Sequence, residues 1–282
     1  MSGSGWVAAT TTVLMGSGCL AGGREESSER VRDDGPISRI DVELDAGNVE
    51  IVGAPDFLGV NGTVTSRWMN DDAPEVVHYV QDGVLHVLGR CATPDAPCIL
   101  DVSLTVPMDA NVSIDTGMGD VITRAITGDV EISVADGNIE GHQIGGTFFV
   151  ETEQGDILGD GLTGTLIDAR TGAGDVEMQI TGSPIRVVGR SGNGDIVLNV
   201  PPGSYRIDAD TPQGDLEVSS QVVDDPGAAS AIIAETDNGD VRIDGRAPRR
   251  PGTGTPDDGG AGAPANGGAP GEAGGRDRTG LG

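Results

Sequence analysis

Between Val112 and Val241 apolar residues fall at every second position in short runs, and the runs recur at a near-constant step. With Asp120 as reference, the equivalent positions are Asn138, Asp156, Asp175, Asp195, Asp215 and Asp240, separated by 18, 18, 19, 20, 20 and 25 residues. Eight positions earlier stands Val112, Val130, Phe148, Ile167, Val187, Ile207 or Ile232, and six earlier Ile114, Ile132, Val150, Ala169, Gly189, Ala209 or Ala234. Four earlier is Thr116, Thr152, Thr171, Ser191, Thr211 or Thr236, with Val134 as the exception. Gly always precedes the reference residue and Val, Ile or Leu always follows it. A spacing of two puts these side chains on one face of a strand, with mostly polar residues such as Asp168, Arg170 and Asp208 on the other. Each unit therefore predicts strand, tight Gly-containing turn, strand.

One such unit cannot bury its apolar face, whereas stacked units lay their aliphatics on one another at about 4.8 Å. Periods of this size mark stacked architectures. The expectation is an all-β fold, a right-handed β-solenoid of about seven 18–20-residue rungs, roughly 30 Å long at the strand spacing. A sandwich of short hairpins is the competing reading, but it does not require turns and core positions to repeat in register.

The pattern begins early. Ile40, Val42 and Leu44 have the core spacing, and Gly47-Asn48-Val49 stands where Gly-Asp-Val would be. VVHYV (76–80) and VLHVL (84–88) flank Gln81-Asp82-Gly83, a hairpin signal, and DVSLTV (101–106) is a further alternating strand ended by Pro107. Residues 38–108 are thus expected to form an N-terminal β cap with a hairpin, shielding the first edge of a solenoid at 109–246. Residues 20–37 (from LAGGREESSERVRDDGP) read as a polar linker. Residues 247–282, rich in Gly, Ala and Pro, read as a disordered tail.

These features together (alternating strands, an Asp-Gly hairpin, a D-V-x-L-x-V-P strand, then serial S/T-x-x-G-D-V/I/L units) resemble the bacterial putative-adhesin β-strand-repeat family over about residues 38–245. The resemblance implies a β-helical envelope or surface protein. It carries over no catalytic residue.

Composition narrows the partners. Aromatics make up 2% and 47 residues are Gly, which suits a thin interior filled by Val, Ile, Ala and Thr. The net charge of −28 argues against nucleic acid, whose backbone needs basic surface.

At the N-terminus, the apolar stretch 6–18 is too short to span a bilayer and ends in small residues before Cys19, the shape of a secretory signal. Cys19 resembles a bacterial lipoprotein lipidation site. Gly16 stands three residues before it in place of Leu, and no Lys or Arg precedes it. Residues 1–19 are therefore read as a signal peptide ending at a lipidated Cys19, against a signal cut elsewhere or a cytosolic chain. That places the protein in the cell envelope, at the outer membrane or cell surface rather than the inner membrane, with the membrane as a partner through the lipid. Cys91 and Cys98 enclose ATPDAP, a loop whose ends can meet, and an exported chain permits a disulfide between them.

Candidate chemistry is sparse. There is no Ser-His-Asp spacing, HExxH, P-loop or helix-opening GxGxxG, and His78, His86 and His142 are scattered. No enzyme activity and no cofactor are expected. In a stack, Asp156, Asp175, Asp195, Asp215 and Asp240 form a column. The preferred reading is that each carboxylate caps N–H groups of its own turn; the alternative is a Ca²⁺ column. Arg170 and Arg190 share an outward position near Asp168, Asp208 and Asp210, with Phe149 outward beside them. Such a row would bind an acidic sugar or form surface ion pairs. The leading function is a non-enzymatic envelope lipoprotein, an adhesin-like or scaffold-like binding rod whose partner is an envelope protein or surface polysaccharide. The alternatives are a polysaccharide-active β-helix enzyme and an envelope-stress sensor acting through a protein partner.

Overall fold

The short alternating runs build strands and nothing else. The computed structural model describes residues 24–69, 72–93 and 98–245, and among them there is no helix. The first seven strands are β1 (Arg24–Asp33), β2 (Arg39–Ala46), β3 (Val49–Ala54), β4 (Val60–Met69), β5 (Glu75–Gln81), β6 (Val84–Arg90) and β7 (Cys98–Pro107). Each repeat then gives one strand before its Gly-Asp corner and one after it. These pairs are β8 (Asn111–Met118) and β9 (Val121–Arg124), β10 (Val130–Asp136) and β11 (Ile139–His142), β12 (Phe148–Gln154) and β13 (Ile157–Leu162). They continue with β14 (Leu166–Ala173) and β15 (Val176–Ile180), then β16 (Arg186–Asn193) and β17 (Ile196–Val200). The chain closes with β18 (Gly203–Asp210), β19 (Leu216–Val218), β20 (Val222–Asp224), β21 (Ala231–Asn238) and β22 (Val241–Gly245).

Two sheets of 11 strands result. The first runs β1-β4-β7-β3-β9-β11-β13-β15-β17-β22-β19, the second β20-β18-β21-β16-β14-β12-β10-β8-β2-β6-β5. Within the repeats every pairing is parallel, and the register is kept throughout except for a shift between Asp160 and Leu162 where β13 meets β15. Val112, Val130, Phe148, Ile167, Val187 and Ile232 are successive direct partners. These residues and the aliphatics after the corners, from Val121 to Ile196 and again Val241, are buried between the sheets, as the period of two requires.

Stacking is not serial at the end. β21 and β22, the last unit in sequence, lie directly on β16 and β17, while β18 and β19 pair on their far side. Two causes act together. Pro201-Pro202 follows β17 and offers no N–H to a ladder, so the chain leaves its neighbour there. The 231–245 unit is also the more apolar of the two. Ile232, Val241 and Ile243 are fully buried in the inner place, whereas Leu216 and Val218 are 49% and 38% exposed in the outer one. Exchanging the units would uncover the first three, at roughly 1 kcal/mol or more for each half-exposed side chain.

The N-terminal region departs from expectation in two places. Residues 24–33, read as linker, are the edge strand β1, paired antiparallel with β4. Only Val31 of this strand is fully buried, so its sequence lacks the apolar alternation that marks an inner strand. Residues 39–54 are not separate from the repeats, because β2 and β3 pair in parallel with β8 and β9. β7, β4 and β1 extend one sheet beyond this rung, and β6 and β5 extend the other.

Cys91, directly after β6, is bonded to Cys98 at the start of β7, with Cα atoms 5.7 Å apart, so the disulfide ties one sheet to the other. Reduction, or Cys98→Ser, should lower stability by about 2–3 kcal/mol, most of it through the freed loop of the unfolded chain. A lower urea midpoint with little change of slope is the expected reading. Cys19, residues 94–97 of the loop and the tail 247–282 lie outside the described residues.

Candidate functional site

Each Gly-Asp pair is the corner where the chain passes from the second sheet to the first. The reference residue donates its backbone N–H to the side-chain oxygen of its neighbour, and the relay is continuous. Asn48 donates to Asp101, Asp120 to Asn48, Asn138 to Asp120, Asp156 to Asn138 and Asp175 to Asp156. Asp195 then donates to Asp175, Asp240 to Asp195 and Asp215 to Asp240, all eight contacts at 2.7–3.0 Å. This corrects the sequence expectation. Each carboxylate except that of Asp215, which ends the column, caps the turn of the next rung, not its own, so the column holds rungs together. Asp101, whose other oxygen pairs with Arg67, begins it.

The Gly carbonyls need their own partners. The hydroxyls of Thr152, Thr171, Ser191 and Thr236, all buried, and of the half-buried Thr211 donate to the carbonyls of Gly137, Gly155, Gly174, Gly194 and Gly239 at 2.6–3.0 Å. In these five units the hydroxyl residue four before the corner is therefore part of the lock, a role its position in the motif marked without explaining; Val134 has no hydroxyl and Thr116 bonds the Met118 carbonyl instead. Apart from Asp215 at the end of the column, each column side chain has one oxygen taken by a backbone N–H. Among the described residues no group of three His, Cys, Asp or Glu side chains is arranged to hold a metal ion.

The outward row that the sequence offers as a candidate binding face lies on the second sheet. Arg170 and Arg190 are direct partners on β14 and β16. Asp168 holds Arg170 through both oxygens, at 2.7 and 2.8 Å, and these hydrogen bonds push the guanidinium pKa above its usual value. The Arg170 guanidinium also lies 5.6 Å from the centre of the Phe149 ring, a cation–π contact. Arg190 is held differently. Because β21 intervenes, its Nε meets Glu235 at 2.8 Å. Asp208 and Asp210 stand one strand further, opposite Ile233 and Glu235. Phe149, Asp168, Arg170 and Arg190 are thus brought together, Asp208 and Asp210 are not adjacent to them, and Glu235 is the residue that sequence reasoning missed. Serial counting could not place it, since the exchanged order of the last two units decides its neighbour.

Beside Arg170 a shallow open groove of about 440 Å³ crosses β8, β10, β12 and β14. Asp115, Glu151 and Glu153 line it, and Gly117 and Gly172 keep its floor low. A Cβ on Gly172 would stand 2.6 Å from the Glu153 carbonyl, so the close approach of neighbouring strands demands Gly there. Its charged lining is acidic apart from the clamped Arg170 guanidinium, and the hydroxyl-bearing Ser133, Thr116, Thr152 and Thr171 complete its polar residues.

No family model matches the chain, and no curated protein matches it. Among solved structures, a putative cell adhesion protein from Clostridium sporogenes ATCC 15579 is similar at 13% identity, covering 78% of this chain and 99% of that one, with a TM-score of 0.37. A putative adhesin from Bacteroides fragilis NCTC 9343 is similar at 13% identity over 77% and 96% of the two chains, TM-score 0.40. One from Parabacteroides distasonis ATCC 8503 is similar at 12% identity over 78% and 97%, TM-score 0.30. At these identities and scores the likeness carries nothing about ligand or activity.

Proposed function

We propose that this chain is a non-enzymatic cell-envelope protein, anchored by a lipid on Cys19, whose stacked repeats form a right-handed β-solenoid with an adhesin-like binding face. The observation that carries the reading is the in-register pair Arg170 and Arg190 beside Phe149, at the end of a polar groove. Arg170 is pre-set by Asp168, and Arg190 uses only Nε on Glu235, so both retain guanidinium N–H groups for a carboxylate-bearing sugar. Asp168 is occupied in orienting Arg170, which suits binding better than proton transfer. The anchor fits the same picture. Only residues 20–23 separate Cys19 from β1, so a lipid there would hold the N-terminal end of the stack at the bilayer and point the last rung away from it.

The test is binding to an immobilised polyuronate. The wild-type chain should be retained without releasing new reducing ends, and Arg170→Ala/Arg190→Ala should weaken retention by about tenfold or more. Cleavage of the polymer that the double variant abolishes would replace this reading with the enzyme. Equal retention of both proteins would remove the face from consideration. For the anchor, Cys19→Ser should move the protein from the membrane to the soluble fraction, and unchanged fractionation would sink it.

A further inference from the structure

The two sheets do not end together at the N-terminal end. Beyond the rung formed by β2 and β3, the first sheet adds three strands, β7, β4 and β1, and the second adds only two, β6 and β5. β1 therefore overhangs a strand-wide place beside β5. We infer that this place is a docking site for strand addition, filled by an extended segment of a partner protein carrying basic residues at alternate positions.

Edge chemistry singles out β5. Unpaired strand edges template the addition of another chain, and proteins blunt them by charge or shortness. β19 and β20, the edges at the other end, have 3 residues each. β1 (REESSERVRD) is heavily charged. β5 has 7 residues, EVVHYVQ, with one formal charge, no Gly and no Pro. Its inner residues Val76 and Val80 are only partly buried, although they pack on the core. Trp68 and His78, on β4 and β5, each hold a ring nitrogen shielded from solvent with no hydrogen-bond partner among the described residues. Buried polar atoms of that kind ordinarily have partners.

The surface that an added strand would face defines its charge. On β1, Ser27, Glu29 and Val31 are the more buried members of the alternation, and Glu25 shares their side. Glu25 and Glu29 therefore face the place beside β5, four residues apart on that side with Ser27 between them. A strand laid along β5 with Arg or Lys on its inner side would meet them, and the −28 net charge would steer such a segment in. A second copy of this chain does not fit. A two-fold β5–β5 pairing would drive the overhanging β1 of each copy into β4 of the other, and both copies are strongly acidic.

The probe is a blocked peptide with Arg at alternate positions and Thr between them. It is titrated into the full chain carrying Trp6→Phe, so that Trp68 is the one remaining indole. A saturable change in Trp68 emission is expected, with deuterium uptake slowed across 75–81 and unchanged across 216–224. A peptide of the same composition with its Arg residues in one block should bind about tenfold or more weaker, as should one N-methylated at alternate residues along a single edge. Glu25→Arg/Glu29→Arg should weaken the alternating peptide similarly while keeping a cooperative melt. Equal binding of the blocked-Arg peptide would reduce the effect to net charge and overturn the proposal. So would undiminished binding of the N-methylated peptide, protection at 216–224, or no binding, and the peptide arms need no variant that could misfold.

Discussion

Gly155→Ala should cost about 4 kcal/mol or more, enough to abolish a cooperative melt in a marginally stable domain. The backbone φ at Gly155 is +143°, a region L side chains rarely adopt, and an added Cβ would stand 2.1 Å from the Gly137 carbonyl oxygen. That carbonyl is the one Thr152 bonds, so the clash would also break the lock. The control is Gly161→Ala. Its φ is +70°, but the nearest atoms to a new Cβ are 3.6 Å away, so only the conformational penalty of about 1–2 kcal/mol applies. Urea midpoints of the two variants check the ranking. Equal losses would mean that close approach between rungs does not decide the corner's identity.

The second large effect is in the column. Asp175→Ala removes the acceptor for the Asp195 N–H and should lose about 1–3 kcal/mol. Asp175→Asn keeps an oxygen in the same place and removes a charge. It should be neutral or stabilising at low salt, as Asn48 and Asn138 already serve in the relay. Five aspartates in spatial succession, Asp156, Asp175, Asp195, Asp240 and Asp215, repel at about 0.9 kcal/mol per neighbouring pair for a 4.8 Å spacing in water. Raising salt shortens the Debye length from about 10 Å at 0.1 M to about 3 Å at 1 M. The melting temperature should therefore rise with NaCl, and Asp175→Asn should lessen the rise. CaCl₂ at matched ionic strength should add nothing further. A calcium-specific gain that disappears in Asp175→Asn/Asp195→Asn would instead make the column a metal site.

The repeat itself was legible because its chemistry is local. A strand's period of two, a Gly at each corner and an acceptor next to it are written within one unit, so the inner residues from Val112 to Val200 fall where the spacing puts them. The Cys91–Cys98 bond was legible for the same reason, since a short loop brings its own ends together. β1 was not legible. An edge strand solvated on one side and overhanging on the other keeps Arg and Glu, and carries no apolar stripe to read. The outward Arg row was half legible, because Arg170 and Arg190 sit in units that stack in sequence order while Asp208 and Asp210 do not.

By itself, then, the sequence determined the strands, the corners, the register within each parallel ladder and the presence of a side-chain column, all consequences of a periodic apolar pattern. Tertiary structure decided which unit lies on which. The unit ending at Asp215 and the unit ending at Asp240 carry the same motif, so pattern alone assigns them the same kind of place. Burial separates them, because the inner place rewards Ile232, Val241 and Ile243 and the outer one tolerates the exposed Leu216 and Val218. The direction of each cap was likewise a tertiary matter. An Asp beside a turn can accept from its own N–H groups or from the next rung's, and only a neighbour at strand spacing makes the second geometry available.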